Sequence, residues 1–259
     1  MNIVVCIKQV PGTTEIKIDP ETNTLVREGV ESIINPFDTY ALEEGVRLKE
    51  RCGGKVTVIT MGPPQAEDAL RETVSLGADE VILISDRVFA GSDTWATSYV
   101  LSRAIATIAD YDVIICGKQT LDGDTGQVGP GLSEMLGIPF VAYVSKIEEI
   151  KEGYIRVQRM VEEGYEVLEM ALPAAITVVK EINVPRLPSL RGSMKAKSAR
   201  ITVWTAEDIG VDSDKAGIAG SPTRVVKIFF PRREHKSEML QGTPEEQVGQ
   251  LVERLEEII

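Results

Sequence analysis

Five short apolar runs, at residues 2–10, 55–61, 80–85, 112–116 and 140–144, are separated by helical stripes through the first 145 residues of this chain. Strands separated by helices of this length run parallel, with right-handed crossovers that lay the helices on the sheet. The pattern predicts an α/β fold: a doubly wound, mostly parallel five-stranded sheet with helices on both faces.

Local signals agree. Asn35 and Pro36 supply an N-cap and a first helical residue, and Phe37, Tyr40, Ala41, Gly45 and Leu48 form one stripe of a helix ending near Cys52-Gly-Gly. Gly62-Pro-Pro opens a second helix whose Ala66, Ala69, Leu70 and Thr73 face inward, and Ser92 caps a third. Residues 11–34 carry the turn signals Asp19-Pro20 and Thr22-Asn23 and read as an irregular hairpin.

The run ending at Cys116 breaks into Gly117-Lys118-Gln119-Thr120-Leu121-Asp122-Gly123-Asp124-Thr125-Gly126-Gln127-Val128-Gly129-Pro130 before a helix restarts. An open α/β sheet uses such a strand–loop–helix junction, at its carboxyl edge, to wrap backbone N–H groups around a phosphate. The four glycines permit positive φ and close approach of the backbone to a ligand, and Asp124 or Thr125 can cap the helix with Gln127 in its first turn. The spacing matches neither the mononucleotide P-loop nor the dinucleotide fingerprint. A Gly/Asp-rich surface turn would look the same in isolation; the loop's place after the fourth strand favours a nucleotide. Asp122 and Asp124 repel a phosphate unless they cap N–H groups or bind ribose and ribityl hydroxyls.

Composition narrows the partners. Forty acidic against 28 basic residues give a formal charge of −12, which disfavours nucleic acid and favours a complementary basic protein surface; Lys195-Ala-Lys-Ser-Ala-Arg200 is the exception. No run approaches the ~18 apolar residues of a membrane span, and Lys8 stands where a signal peptide would still be apolar. The expected setting is cytoplasmic, without membrane insertion. Cys6, Cys52 and Cys116 share no metal or redox spacing and read as buried thiols in a reducing compartment. The lone histidine, His235, leaves no triad or zinc site.

Beyond residue 146 the rhythm changes. Residues 153–159 and 165–170 alternate across Glu162-Glu-Gly164 as an antiparallel hairpin, and 173–180 reads as one more strand. Residues 183–201 and 210–222 are rich in Pro, Ser and Gly and read as exposed loops or arms, while Trp95 and Trp204 read as packing residues. Thr243, Pro244 and Glu246 open a last helix on which Val248, Leu251, Val252, Leu255, Ile258 and Ile259 make a continuous apolar face. That face is buried on its own body or on a partner subunit, and the long arm before it favours the partner.

The ordered motifs resemble those of the electron transfer flavoprotein β-subunit family over nearly the whole chain. They run from Val4-Val-Cys-Ile-Lys8 through Asn35-Pro-Phe-Asp38, Ala41-Leu-Glu-Glu-Gly-Val-Arg-Leu-Lys49, Met61-Gly-Pro and Leu76-Gly-Ala-Asp79 to the loop 117–127. They continue in Val157-Gln-Arg159, Leu172-Pro-Ala174, Asn183-Val-Pro-Arg-Leu-Pro-Ser-Leu190 and Met194-Lys-Ala-Lys197. The resemblance implies a Rossmann-like fold of the adenine nucleotide alpha-hydrolase-like type and a heterodimer with an FAD-carrying α subunit. It implies an adenine nucleotide held by Cys6, Asn35, Pro36, Phe37, Asp38 and Met61 together with residues 117–128.

That nucleotide is AMP in the simpler members and, in the electron-bifurcating members, a second FAD that takes a hydride from NADH. Asp122-Gly-Asp-Thr-Gly-Gln-Val and the tail Ser221-Pro-Thr-Arg-Val-Val-Lys resemble the bifurcating form, so FAD is expected, with AMP the alternative. Residues 185–197 resemble the family's recognition loop, whose leucine docks on a dehydrogenase or quinone reductase and corresponds to Leu190. The implied divisions are a nucleotide-binding domain at 1–185, a recognition loop at 186–200, and an arm with a helix on the α subunit at 201–259. Met160 stands where some members carry a glutamate, so no acid/base role transfers, and no catalytic or metal-binding residue is expected. A non-redox nucleotide sensor and an α-phosphate hydrolase are the competing readings; the hydrolase would have only Asp122 and Asp124 to work with.

Overall fold

The computed structural model describes residues 1–12, 17–18, 25–26, 32–226, 237 and 239–256. It forms two compact units, Met1–Val226 and Lys227–Ile259. The first is built on one nine-stranded sheet: β1 (Asn2–Cys6), β2 (Lys55–Met61), β3 (Glu80–Ile84), β4 (Val113–Gly117), β5 (Phe140–Lys151), β6 (Tyr154–Val161), β7 (Gly164–Ala171), β8 (Ala174–Val178) and β9 (Thr202–Trp204). Their order across the sheet is β7-β6-β5-β8-β4-β1-β2-β3-β9.

All pairs from β5 to β9 are parallel, and only the β5-β6-β7 meander is antiparallel. The five strands expected from the sequence are all present, but the first ends at Cys6 rather than Val10, and Gln9–Pro11 pairs in a separate ladder. Two more enlarge the parallel part: β8 inserts between β4 and β5, and β9 extends the far edge beside β3. The three-residue β9 lies in a stretch read as an arm, and is too short to carry a period. The strand expected at 140–144 runs on to Lys151 and itself becomes the first strand of the meander.

Helices α1 (Pro36–Cys52) and α2 (Glu67–Leu76) cover one face, and α3 (Thr94–Ile108) and α4 (Val128–Leu136) the other. Strand alternation divides the core between them. Ile3, Val5, Val56, Val58, Val113 and Ile115 pack with Leu42, Val46 and Leu70, whereas Val4, Ile59, Ile84 and Ile114 pack with Val100, Ile105 and Leu132. Each fully buried branched side chain contributes roughly 1.5–3 kcal/mol. Close α1–β1 packing requires glycine at 45, where a Cβ would meet Val5 Cγ2 at 2.9 Å.

Several local expectations change. Asp93, not Ser92, caps α3, accepting from the amides of Trp95 and Ala96 at 3.0 Å each. Trp95 is exposed rather than packed, and Cys52 is exposed at the end of α1 while Cys6 and Cys116 are buried. Residues 190–198 form helix α5 (Leu190–Ser198) rather than loop, capped by the Ser189 hydroxyl, which accepts from the Gly192 amide at 3.0 Å. Of the segment read as an irregular hairpin, two short antiparallel ladders are seen, residues 9–11 with 32–34 and 17–18 with 25–26, and the rest lies outside the described residues. His235 also lies outside them.

In the second unit α6 (Pro244–Glu256) carries the expected capping box: the Thr243 amide donates to Glu246 at 2.7 Å and the Glu246 amide to Thr243 Oγ1 at 3.4 Å. Its Val248, Leu251, Val252 and Leu255 are exposed. Ile258 and Ile259 lie outside the described residues. No described helix is long and apolar enough to cross a membrane.

Candidate nucleotide site

After β1 the chain builds β2 and β3 on one side, then crosses to place β4 on the other side of β1. Such a reversal of strand order opens a crevice at the carboxyl ends of the two strands. A cleft of about 1120 Å³ lies there. Cys6 and Cys116 line its floor, Lys118, Gln119 and Thr120 one wall, and Ser85 to Thr97 the opposite wall.

The wall at 117–128 is held from behind. Asn35 is fully buried and does not cap α1 with its side chain; its Nδ2 donates to the Gln119 carbonyl at 2.9 Å, and its Oδ1 accepts from the Leu121 amide at 3.2 Å. Lys8 Nζ pairs with Asp122 Oδ2 at 2.6 Å, so this carboxylate is spent on a lysine rather than facing the cleft. Burial works to raise the Asp122 carboxyl, but the hydrogen bond and charge of Lys8 outweigh it and hold it below the usual range. Asp124 takes φ 51°, and its carboxylate accepts from the Gln119 side chain. The Lys118 ammonium lies 5.0 Å from the centroid of the Phe37 ring.

Neither Asp124 nor Thr125 caps α4. Gln127 occupies the N-cap position and no side chain bonds the first turn, which leaves N–H groups for an anion at the dipole's positive end. Among the four loop glycines only Gly126 takes positive φ, 63°. Gly117 is needed for space: a Cβ there would fall 2.3 Å from Asp38 Oδ1.

Asp38 ties these parts together. Its carboxylate accepts from the Lys8 amide at 2.7 Å, beyond β1, and also from the Gly117 amide and the Asn35 side chain. Burial pushes this carboxyl up to about 7, against those donors, which favour its charged form. An acid with a folded value above its unfolded 3.8 costs stability as pH rises between the two, because the unfolded chain releases its proton first. Asp38→Asn is expected to remove that downward slope of stability between about pH 4 and pH 7. Denaturant midpoints measured across the window check this, and an unchanged slope would assign the slope to other groups.

Of the positions expected in the site, Cys6, Asp38, Met61, Gly117, Lys118, Gln119, Thr120, Gly123, Thr125, Gly126, Gln127 and Val128 line the cleft. Asn35, Pro36, Phe37, Leu121, Asp122 and Asp124 do not; they stand behind or beside the wall. The opposite wall was not foreseen. It includes Arg87, Ser92, Asp93, Thr94 and Thr97, with Thr223 also lining the cleft. The available signal was positional, since residues 85–94 follow the carboxyl end of β3 and lead into the N-terminus of α3.

Comparison with known proteins places the chain in a family. The electron transfer flavoprotein domain model matches residues 22–209. The electron transfer flavoprotein subunit beta of Thermoanaerobacterium thermosaccharolyticum is 52% identical over 256 residues, covering 98% of both chains. This chain belongs to the electron transfer flavoprotein β-subunit family. It is also similar to the caffeyl-CoA reductase-Etf complex subunit CarD of Acetobacterium woodii, 48% identical over 259 residues covering 99% of this chain and 98% of CarD. The protein FixA of Azotobacter vinelandii is 47% identical over 249 residues, 93% and 89% of the two chains.

An electron transfer flavoprotein β subunit acts in electron transfer together with an α subunit and redox partners. A second exposed surface lies at the start of α5. Val184, Leu187, Leu190 and Met194 are exposed, with Leu190 at 82%, at the start of α5. Arg186 fixes the segment before α5 to α1: it donates to Glu43 Oε2 at 2.8 Å and to Glu50 Oε1 at 2.6 Å. Asn183 adds a bond to Glu44 Oε2 at 3.0 Å. Behind α5, Arg71 donates to the Ala199 carbonyl at 3.1 Å. The apolar side chains therefore stand outward on a braced segment.

Proposed function

We propose that this β subunit binds a second FAD in the cleft at the β1/β4 edge, beside the FAD of an α subunit, and that the pair bifurcates electrons from NADH in the cytoplasm. The observation that carries the reading is the convergence of the N-termini of α3 and α4 on one crevice at the strand-order reversal, with α4 uncapped. Asp93 already accepts from the first-turn amides of α3, so the uncapped terminus of α4 is the one that favours a phosphate of the ligand. The cleft, about 1120 Å³, exceeds the roughly 300–1,000 Å³ of ordinary small-ligand pockets and suits a dinucleotide.

When bound, flavin supplies the hydride acceptance and the one-electron steps. The chain's residues bind and orient it. Asn35 and Asp38 hold the wall and the strand ends in register, and the Lys8–Asp122 pair removes one carboxylate from the phosphate's neighbourhood. Likeness to a protein named for a caffeyl-CoA reductase complex supports a place in such assemblies. The outward α5 segment is the proposed docking element for a dehydrogenase or quinone reductase, and the exposed face of α6 the proposed contact with the α subunit.

Thr125 lines the cleft, so Thr125→Tyr is expected to abolish nucleotide retention in the purified heterodimer while circular dichroism stays unchanged. Full retention would remove the loop from the site. Arg186→Ala is expected to raise KM for the electron acceptor several-fold at unaltered flavin content, with Arg186→Lys restoring part of the loss. An unchanged KM would show that the brace does not serve docking.

A further inference from the structure

Cys6 ends β1, and the parallel register sets it directly opposite Cys116 on β4. Adjacent strands lie about 4.8 Å apart, within the roughly 4.4–6.8 Å between Cα atoms that a disulfide spans. Both side chains point to the α3/α4 face, and both line the cleft floor with 7% of their surface exposed. The neighbouring Cys116, then burial, then the nearby Asp38 raise the Cys6 thiol well above its ordinary value. Nothing in the proposed function uses either sulfur.

The geometry points to a modification site: Cys6 and Cys116 form an oxidisable dithiol on the floor of the cleft, closed to an interstrand disulfide by hydrogen peroxide. One thiol attacks the peroxide, breaking its O–O bond and giving a sulfenic acid and one water. The second thiol displaces the hydroxyl as a second water, and the S–S bond forms. The two thiols together lose two electrons, which the peroxide gains. The pair is recessed and the Cys6 thiol is held protonated, so it reacts slowly and only when peroxide enters the cleft.

Closure would act on the nucleotide wall. The Gly117 amide, next to Cys116, and the Lys8 amide, two residues after Cys6, both donate to Asp38. A disulfide prefers a Cα separation of about 5.5–6 Å, wider than the roughly 4.8 Å strand spacing, so closure spreads the strand ends, shifts both donors, and the oxidised protein loses nucleotide affinity. This consequence rests on the proposed function; the dithiol itself does not.

The test treats the full-length chain, complexed with its α subunit, with hydrogen peroxide before and after removal of nucleotide. In stripped protein carrying Cys52→Ser, which removes the exposed thiol, the free thiols of this chain should fall from two, Cys6 and Cys116, to none. A peptide linking Cys6 to Cys116 should appear and vanish with dithiothreitol, and neither Cys6→Ser nor Cys116→Ser should yield it. Survival of both thiols, or sulfenic or sulfinic acid without a linked peptide, would overturn the proposal. Linkage that forms equally fast in loaded protein would support the dithiol and count against nucleotide covering this floor.

Discussion

Gly117→Ala is expected to empty the cleft of nucleotide and to destabilise the first unit by about 1–3 kcal/mol, the usual cost of forcing atoms into a filled site. The added methyl would lie 2.3 Å from Asp38 Oδ1, 2.7 Å from the Phe37 carbonyl carbon and 2.8 Å from Phe37 Cβ. Two of these are neither flexible nor remote, since Phe37 belongs to the first turn of α1. Relief must come either from displacing Asp38, which releases the Lys8 amide, or from lifting Gly117 off its pairing with Val178. Both routes disorder the wall of the cleft. Acid-released nucleotide per heterodimer and denaturant midpoints check the two halves of the expectation; a variant that retains full nucleotide would show the wall to be more compliant than its contacts indicate.

Leu190→Asp is expected to cost the docking of electron acceptors about 2–4 kcal/mol, the range of an interface anchor, which is roughly a 30- to 1,000-fold rise in dissociation constant. The side chain opens α5, is 82% exposed, and has Leu187 at 89% close by in sequence. Replacing an exposed side chain costs the isolated chain little, so stability and flavin content should hold. Surface binding measurements against an acceptor dehydrogenase, with Leu187→Asp in parallel, locate the anchor. If Leu190→Asp binds as well as the parent, the contact lies on another surface.

The sequence disclosed what local periodicity and local chemistry determine. The β-α alternation to residue 144 and the capping box at Thr243 depend on near neighbours, and both are found. Strand order does not depend on near neighbours. The insertion of β8 between β4 and β5 is set by pairings of Ala175 with Phe140 and of Ala174 with Val113, tens of residues away, and no composition signals it.

The candidate site divides in the same way. The loop 117–128 announced itself by glycines and acids, yet the work expected of Asp124 or Thr125 as caps is done by neither, because Asp124 turns toward Gln119. Asn35 looked like an ordinary N-cap and is instead the clamp of a loop more than 80 residues away in sequence, its bonds reaching Gln119 and Leu121. The wall at 85–97 carried no motif; only its place after β3 marks it. Helix α5 was hidden by its glycine and serines, which lower helix propensity but are offset by the Ser189 cap and by packing against α2.

The central claim is that the crevice between β1 and β4 holds FAD. It is tested most directly by denaturing the purified α/β heterodimer and quantifying each released nucleotide against protein. Two FAD per heterodimer with no AMP is the expected result. One FAD with one AMP, or one FAD and nothing else, would contradict it.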